Sequence, residues 1–200
     1  MNVWSDEANV CVAPEPAYER LLAEATAMTP PRALLRPAVI LLVISMLVPI
    51  MAVQRVTIGL AITAALSWSF VVAIQWLVGS LVVLSAPARR AGFWRALDLW
   101  FAGHLPYSLW MLLFFSAMAN TRSASVGLVI LTAVVPTAWT AVIVAAFCRT
   151  VLGTSAPAAR SRAAVHLVGI WIIGAAYVIW AAGGTAGPVR AVRHGMDLFR

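Results

Sequence analysis

The chain has 200 residues, 62% of them hydrophobic and only 10% charged, with a net charge of +7. Soluble domains run nearer half apolar and a quarter charged, so this composition excludes an ordinary soluble globule and points to lipid as the solvent. Every basic residue is arginine, and no basic patch interleaved with aromatics lies on a soluble domain, which excludes a nucleic-acid partner; the lysine-free, alanine-rich usage suggests a GC-rich bacterial genome.

Residues 1–32 read as a short acidic head. It holds Asp6, Glu7, Glu15, Glu19 and Glu24 against Arg20 and Arg32, a balance of 2 − 5 = −3, while the rest of the chain carries +10. Pro14 and Pro16 are expected to break its early part. From Tyr18 onward, Tyr18, Leu21, Leu22 and Ala25 recur at i, i+3, i+4 and i+7. That spacing suits a short amphipathic helix, with a partly ordered tail as the alternative. Thr29-Pro30-Pro31 ends it, because the residue before a proline avoids the helical region. The first 30 residues lack a basic region followed by an apolar one, so no cleaved signal peptide is expected and the first span serves as its own insertion signal.

Five apolar runs follow, at residues 33–53, 56–84, 97–119, 126–147 and 163–182. A spanning helix needs about 20 apolar residues, so the fold class is all-α: a polytopic integral membrane protein with a bundle of five transmembrane helices. Arg36 lies at the edge of the first run, where an arginine can snorkel to the surface. Only Gln54-Arg55 joins the first two runs, which forces an antiparallel hairpin. The second run is longer than a bilayer requires and is expected to tilt or protrude. Residues 183–200 form a basic tail. Nine arginines flank the head side and five the other, which places the N-terminus in the cytoplasm and the protein in the cell membrane as a multi-pass, inner-membrane chain. The tail arginines dissent from that orientation.

Four residues inside the runs stand out. Asp98 is an acid at the expected start of the third run, beside Arg95. Capping of the helix N-terminus or ion pairing accounts for it, and a proton or cation role is the alternative. His104 lies six residues on, about 9 Å deeper and about 240° round the helix, so the two are no prearranged acid–base pair. A neutral histidine bonded to a neighbouring helix is the first expectation for His104, and a proton relay the second. Pro106 in the third run and Pro136 in the fourth each remove a backbone donor, freeing the carbonyls of Ala102 and Thr132. Pro49 does the same in the first run. Kinks that shape the bundle are expected, with Ser108, Thr132, Thr137, Thr140 or His104 as donors to the freed carbonyls. Trp94, Trp100, Trp110, Trp171 and Trp180 read as interfacial anchors and packing.

Cys11 and Cys148 make neither a disulfide framework nor a zinc site, and the three histidines look scattered. No metal-binding, phosphate-binding or nucleophile motif is present. No cofactor, no metal and no enzymatic activity are therefore expected.

Residues 91–109, AGFWRALDLWFAGHLPYSL, resemble a pattern in bacterial members of the Yip family of Ypt-interacting membrane proteins: a glycine and an aromatic before a basic residue, then a helix with a proline one to two turns inside. Gly92, Phe93, Arg95 and Pro106 carry the likeness. Residues 139–155 are similar to a second pattern, a span ending in a basic residue and a glycine-containing turn, through Arg149 and Gly153, with Arg160 and Arg162 following. The resemblance covers about residues 29–182. It implies five spans, a cytoplasmic N-terminus, a C-terminus on the other face and a non-enzymatic membrane factor; eukaryotic members act near Rab GTPases in vesicle traffic. This head is very short beside theirs. The expected function is a Yip-like membrane scaffold that works through the lipid bilayer, a membrane-protein partner or its own oligomer. The alternative is a small oligomeric transporter or channel.

Overall fold

The structure is a computed structural model that describes residues 3–24, 28–86, 88–120 and 126–181. Those residues fold as helices joined by turns, without a strand among them. Residue 25 and the basic tail, on which two of the expectations above fall, lie outside the described residues.

The head is helical from its start. α1 spans Val3–Val12 and α2 spans Pro14–Ala23. The chain breaks once, at Ala13 just before Pro14, with a helix on either side. Pro14 opens α2 at the first helical position, where its missing N–H is one that a helix leaves unbonded in any case. α2 buries Ala17, Tyr18 and Leu21, the face that the i, i+3, i+4 spacing marks out. Thr29 is extended, as a residue before proline should be, and a single turn, α3 (Pro30–Ala33), follows it.

α4 (Leu35–Val53) and α5 (Ile58–Leu84) form the expected hairpin and pack along each other. Gln54 ends α4 in a left-handed conformation, φ 55°, with its N–H on the Ile50 carbonyl. The Thr57 hydroxyl caps α5 by accepting from the Leu60 N–H at 3.2 Å. Pro49 lies inside α4.

The third run is not one helix. α6 (Phe93–Ala102) stops at Gly103, and α7 (Leu105–Asn120) begins two residues later. Gly103 and His104 turn back to the Trp100 and Phe101 carbonyls, both at 3.1 Å. Pro106 is therefore the second residue of a new helix rather than a kink within an old one. The chain meets the proline by breaking before it, where the lost donor is harmless. α8 (Val126–Thr150) does contain Pro136, which is buried. α9 (Ala156–Ala181) starts a turn or two ahead of the fifth apolar run, because its first residues, APAARSR, are polar yet helical. Gly153, φ 65°, makes the turn between α8 and α9.

α7 packs against both α4 and α8, α8 against α9, and α5 against α6 and α9. The densest core lies at the head end. Tyr18, Leu21, Leu97, Trp100, Ile143, Phe147 and Leu152 meet there with less than 2% of their surfaces exposed. Away from that end the outer faces are apolar and open: Leu66, Leu113, Leu131 and Val165 are each about 70% exposed. Among the described residues two helices, Ile58–Leu84 and Leu131–Thr150, are long and apolar enough to cross a membrane, and Leu35–Leu47 is a shorter apolar one.

Candidate functional site: an ionic layer above a histidine pair

Helix α6 carries both layers of the site. On its first turns Arg95 and Asp98 face inward, and Asp98 is 3% exposed. Asp98 is the sixth residue of α6 rather than its cap, so ion pairing and not the helix terminus accounts for it. Arg36, the second residue of α4, donates from Nε to Asp98 Oδ1 at 2.8 Å and from Nη1 to Glu7 Oε1 at 3.0 Å. Its remaining nitrogen lies 4.0 Å from Asp6 Oδ2. Arg95 donates to Asp98 Oδ2 at 3.0 Å and to the Leu21 carbonyl of α2 at 2.6 Å. Arg20 closes the chain on Asp6 at 3.3 Å.

Three arginines thus balance three carboxylates, in a place where an unpaired charge would be costly. Arg36 does not snorkel: it is 5% exposed, with Asp6 and Glu7 of α1 and Asp98 of α6 closed around it. Burial pushes the Glu7 carboxyl above its ordinary value of 4.5; the Arg36 hydrogen bond and charge pull it back, and Asp98 and Asp6 add to the rise. Glu7 Oε2 has no hydrogen-bond partner.

Around this centre runs an exposed collar. Glu19 accepts two bonds from Arg90, at 2.6 and 3.0 Å, and Arg149 meets Glu15 at 2.8 Å. The Arg90 hydrogen bond holds the Glu19 carboxyl below its ordinary range. Four of the five head acids therefore grip arginines, three of which (Arg36, Arg90, Arg149) belong to the body of the protein.

The second layer sits where α6 breaks. Gly103 is required there. A Cβ would stand 2.7 Å from the Tyr18 hydroxyl and 2.8 Å from Ile143 Cγ2, so the head reaches the break through Tyr18. His104 Nδ1 lies 2.9 Å from the Trp100 carbonyl. A carbonyl only accepts, so Nδ1 carries the proton. His104 Nε2 lies 3.4 Å from Nε2 of His166 on α9, with the two rings nearly perpendicular. The Trp100 ring packs on both, at 5.1 Å and 4.6 Å. Its indole fits because Gly79 of α5 has no side chain: a Cβ would come within 2.5 Å of Nε1. Trp100 is thus a core residue, 1% exposed, and not an interfacial anchor.

His104 does bond a neighbouring helix, and its partner is another histidine, so two of the three histidines are not scattered. Ser108 donates to the His104 carbonyl at 3.1 Å. His104 and Ser108 are thus committed to the Trp100 and His104 carbonyls, and Thr137 and Thr140 carry buried hydroxyls without a partner. Neither proline-freed carbonyl is seen to be served by these four. His166 escapes sequence reading, although it shares the feature that singled out His104, an ionisable ring in an apolar run, AAVHLVGIW. Cys11 and Cys148 are free thiols, and burial pushes that of Cys11 up to about 11. Among the described residues no three His, Cys, Asp or Glu side chains gather to hold a metal. Comparison with protein-family models, with curated proteins and with solved structures finds no match.

Proposed function

We propose that the chain is a Yip-like, non-enzymatic, multi-pass membrane scaffold. α4, α5, α6 with α7, α8 and α9 would be its five spans, with the head in the cytoplasm of a bacterial cell. The observation that carries this proposal is the pairing of a helix bundle, apolar and open round its waist, with an acidic head fastened on the arginine-rich end. Buried arginine–carboxylate contacts tie the head to α4 and α6. A fastened head presents a fixed surface to a partner, which a scaffold needs. Ion-coupled pathways are lined by intramembrane charges; here the buried arginines and carboxylates are spent on one another at the head end.

Two measurements test it. Reporter fusions at residues 20, 88 and 156 should report the cytoplasmic side and those at 122 and 198 the other; the same compartment for 20 and 198 defeats the five-span arrangement. Purification in native lipids followed by mass spectrometry should recover a stoichiometric membrane-protein or lipid partner. Uptake of a small solute by vesicles holding the purified chain alone would instead establish the transporter alternative.

A further inference from the structure

We propose that His104 and His166 form a single buried proton-binding site, which takes up one proton for the pair and couples that charge to the break between α6 and α7.

Hydrogen-bond direction carries the case. The Trp100 carbonyl fixes the proton of His104 on Nδ1, so Nε2 of a neutral His104 is a bare acceptor. The atom facing it at 3.4 Å is Nε2 of His166, which must then be the donor. That leaves the lone pair on His166 Nδ1, and Nδ1 is buried without a partner in a side chain 1% exposed. Buried polar atoms are nearly always paired. The chain of two rings is therefore closed at one end, on a carbonyl, and open at the other, on a base.

A proton from water is taken up at that open end, and the N–H it forms needs a water drawn into the break as its own acceptor. The proton adds to His166 Nδ1, and the proton on His166 Nε2 passes to His104 Nε2. His104 then donates from both nitrogens, to the Trp100 carbonyl and to His166 Nε2, and one positive charge is shared by the two rings. A second proton would place two cations within 3.4 Å, so the pair saturates at one. The Trp100 ring centre lies 4.6 and 5.1 Å from the two rings, inside the roughly 6 Å over which an indole attracts a cation.

Among the described residues no other charge competes for the site. α5 holds no titratable residue. On α4 and α6, Arg36, Arg95 and Asp98 are bound to one another and to the head. On α8, Arg149 pairs with Glu15 and Cys148 is a buried thiol. On α9, Arg162 bonds the Ser85 carbonyl and Arg160 is exposed near the Ala156 carbonyl. Tyr107 of α7 faces Trp110 and Trp171, and the buried phenol of Tyr18 packs against Phe147 and reaches Gly103. A cation at His104 thus sits at a point where the helix ladder is already interrupted. Charging the pair draws water there and loosens α6 from α7.

The test is nitrogen NMR of histidine-labelled full chain in zwitterionic lipid nanodiscs, with His194→Gln to remove the third histidine. The expected neutral state has one ring protonated on Nδ1 and the other on Nε2. On acidification both rings should shift together, with one proton taken up per pair. His104→Gln and His166→Gln, each checked for helix content by circular dichroism, should change the proton affinity of the remaining ring by about tenfold or more. The tautomers are read with His104 and His166 both in place, so misfolding of a variant at either position does not blunt the test. The proposal is overturned if both rings are protonated on Nε2 in the neutral state, or if they titrate separately with midpoints that neither substitution moves. Stoichiometric zinc binding that shifts both Nε2 signals would also overturn it, making the pair a metal site.

Discussion

Arg36 and Asp98 are 62 positions apart in the sequence, yet Nε and Oδ1 meet at 2.8 Å with both side chains about 4% exposed. The guanidinium that holds Asp98 also holds Glu7, so one side chain joins the head, the first long helix and α6. Truncating one partner of such a buried pair leaves the other charge uncompensated, at a cost of about 3–5 kcal/mol. Arg36→Ala should therefore lower stability in detergent by about that much and release the head to protease. Asp98→Asn keeps the shape and should insert normally with a smaller loss, as expected of a structural carboxylate. A loss of activity in Asp98→Asn with the head still protected would move Asp98 into a functional role.

Glu7 should leave a mark on the pH profile. Its folded pKa is raised above 4.5, so the folded state binds more protons than the unfolded state in the window just above 4.5. Stability then falls as pH rises through that window. Glu19, held below its ordinary value by Arg90, acts in the opposite sense: its contribution is present above 4.5 and is lost as pH falls. Glu7→Gln should flatten the first slope and leave the second. Head release followed by tryptophan fluorescence between about pH 4 and 7 checks both, and an unchanged profile in Glu7→Gln would remove Glu7 as the cause.

The break should tolerate no side chain at position 103 unless the head yields. Gly103→Ala puts a methyl group against the Tyr18 hydroxyl and Ile143, and overpacking of this kind costs about 1–3 kcal/mol. Tyr18→Phe removes the nearer obstacle and should recover part of the loss in the double variant. Strict additivity of the two substitutions in a denaturation cycle would show that Tyr18 and Gly103 do not meet.

Gly79 makes a similar demand on α5. A methyl group there would lie 2.5 Å from the Trp100 indole nitrogen, and a buried indole has no flexible end to give way. Gly79→Ala should destabilise by about 1–3 kcal/mol and change the fluorescence of Trp100, whereas Gly59→Ala, where a Cβ meets nothing within 4 Å, should be close to neutral.

Most of the helix plan was legible because apolar runs and their punctuation agree. α4 and α5 begin within two residues of the expected starts, with Gln54 and Thr57 marking the turn. The reading failed where local polarity and helix formation part company. APAARSR is too polar to count as span but forms the start of α9, and the break expected near Pro14 is there, at Ala13, but has a helix on either side. Gly103 ahead of a proline carries the signal of a break, whereas the proline by itself implies only a kink. Asp98 was singled out with one of its partners, Arg95, three residues away. Its other partner, Arg36, and the meeting of His104 with His166 depend on contacts 62 positions apart, which no local pattern encodes.

The fastening of the head has a consequence in time. A ribosome makes Glu15 well before its partner Arg149, with α4 to α7 in between. Domains fold as units in the order of synthesis, but this head cannot close until α8 is in place. Until then its carboxylates stay in water and α2 lacks the wall of Ile143 and Phe147 that buries Tyr18. A segment translated before the helices it rests on is seated only after them, so a seated head certifies that those helices have been assembled.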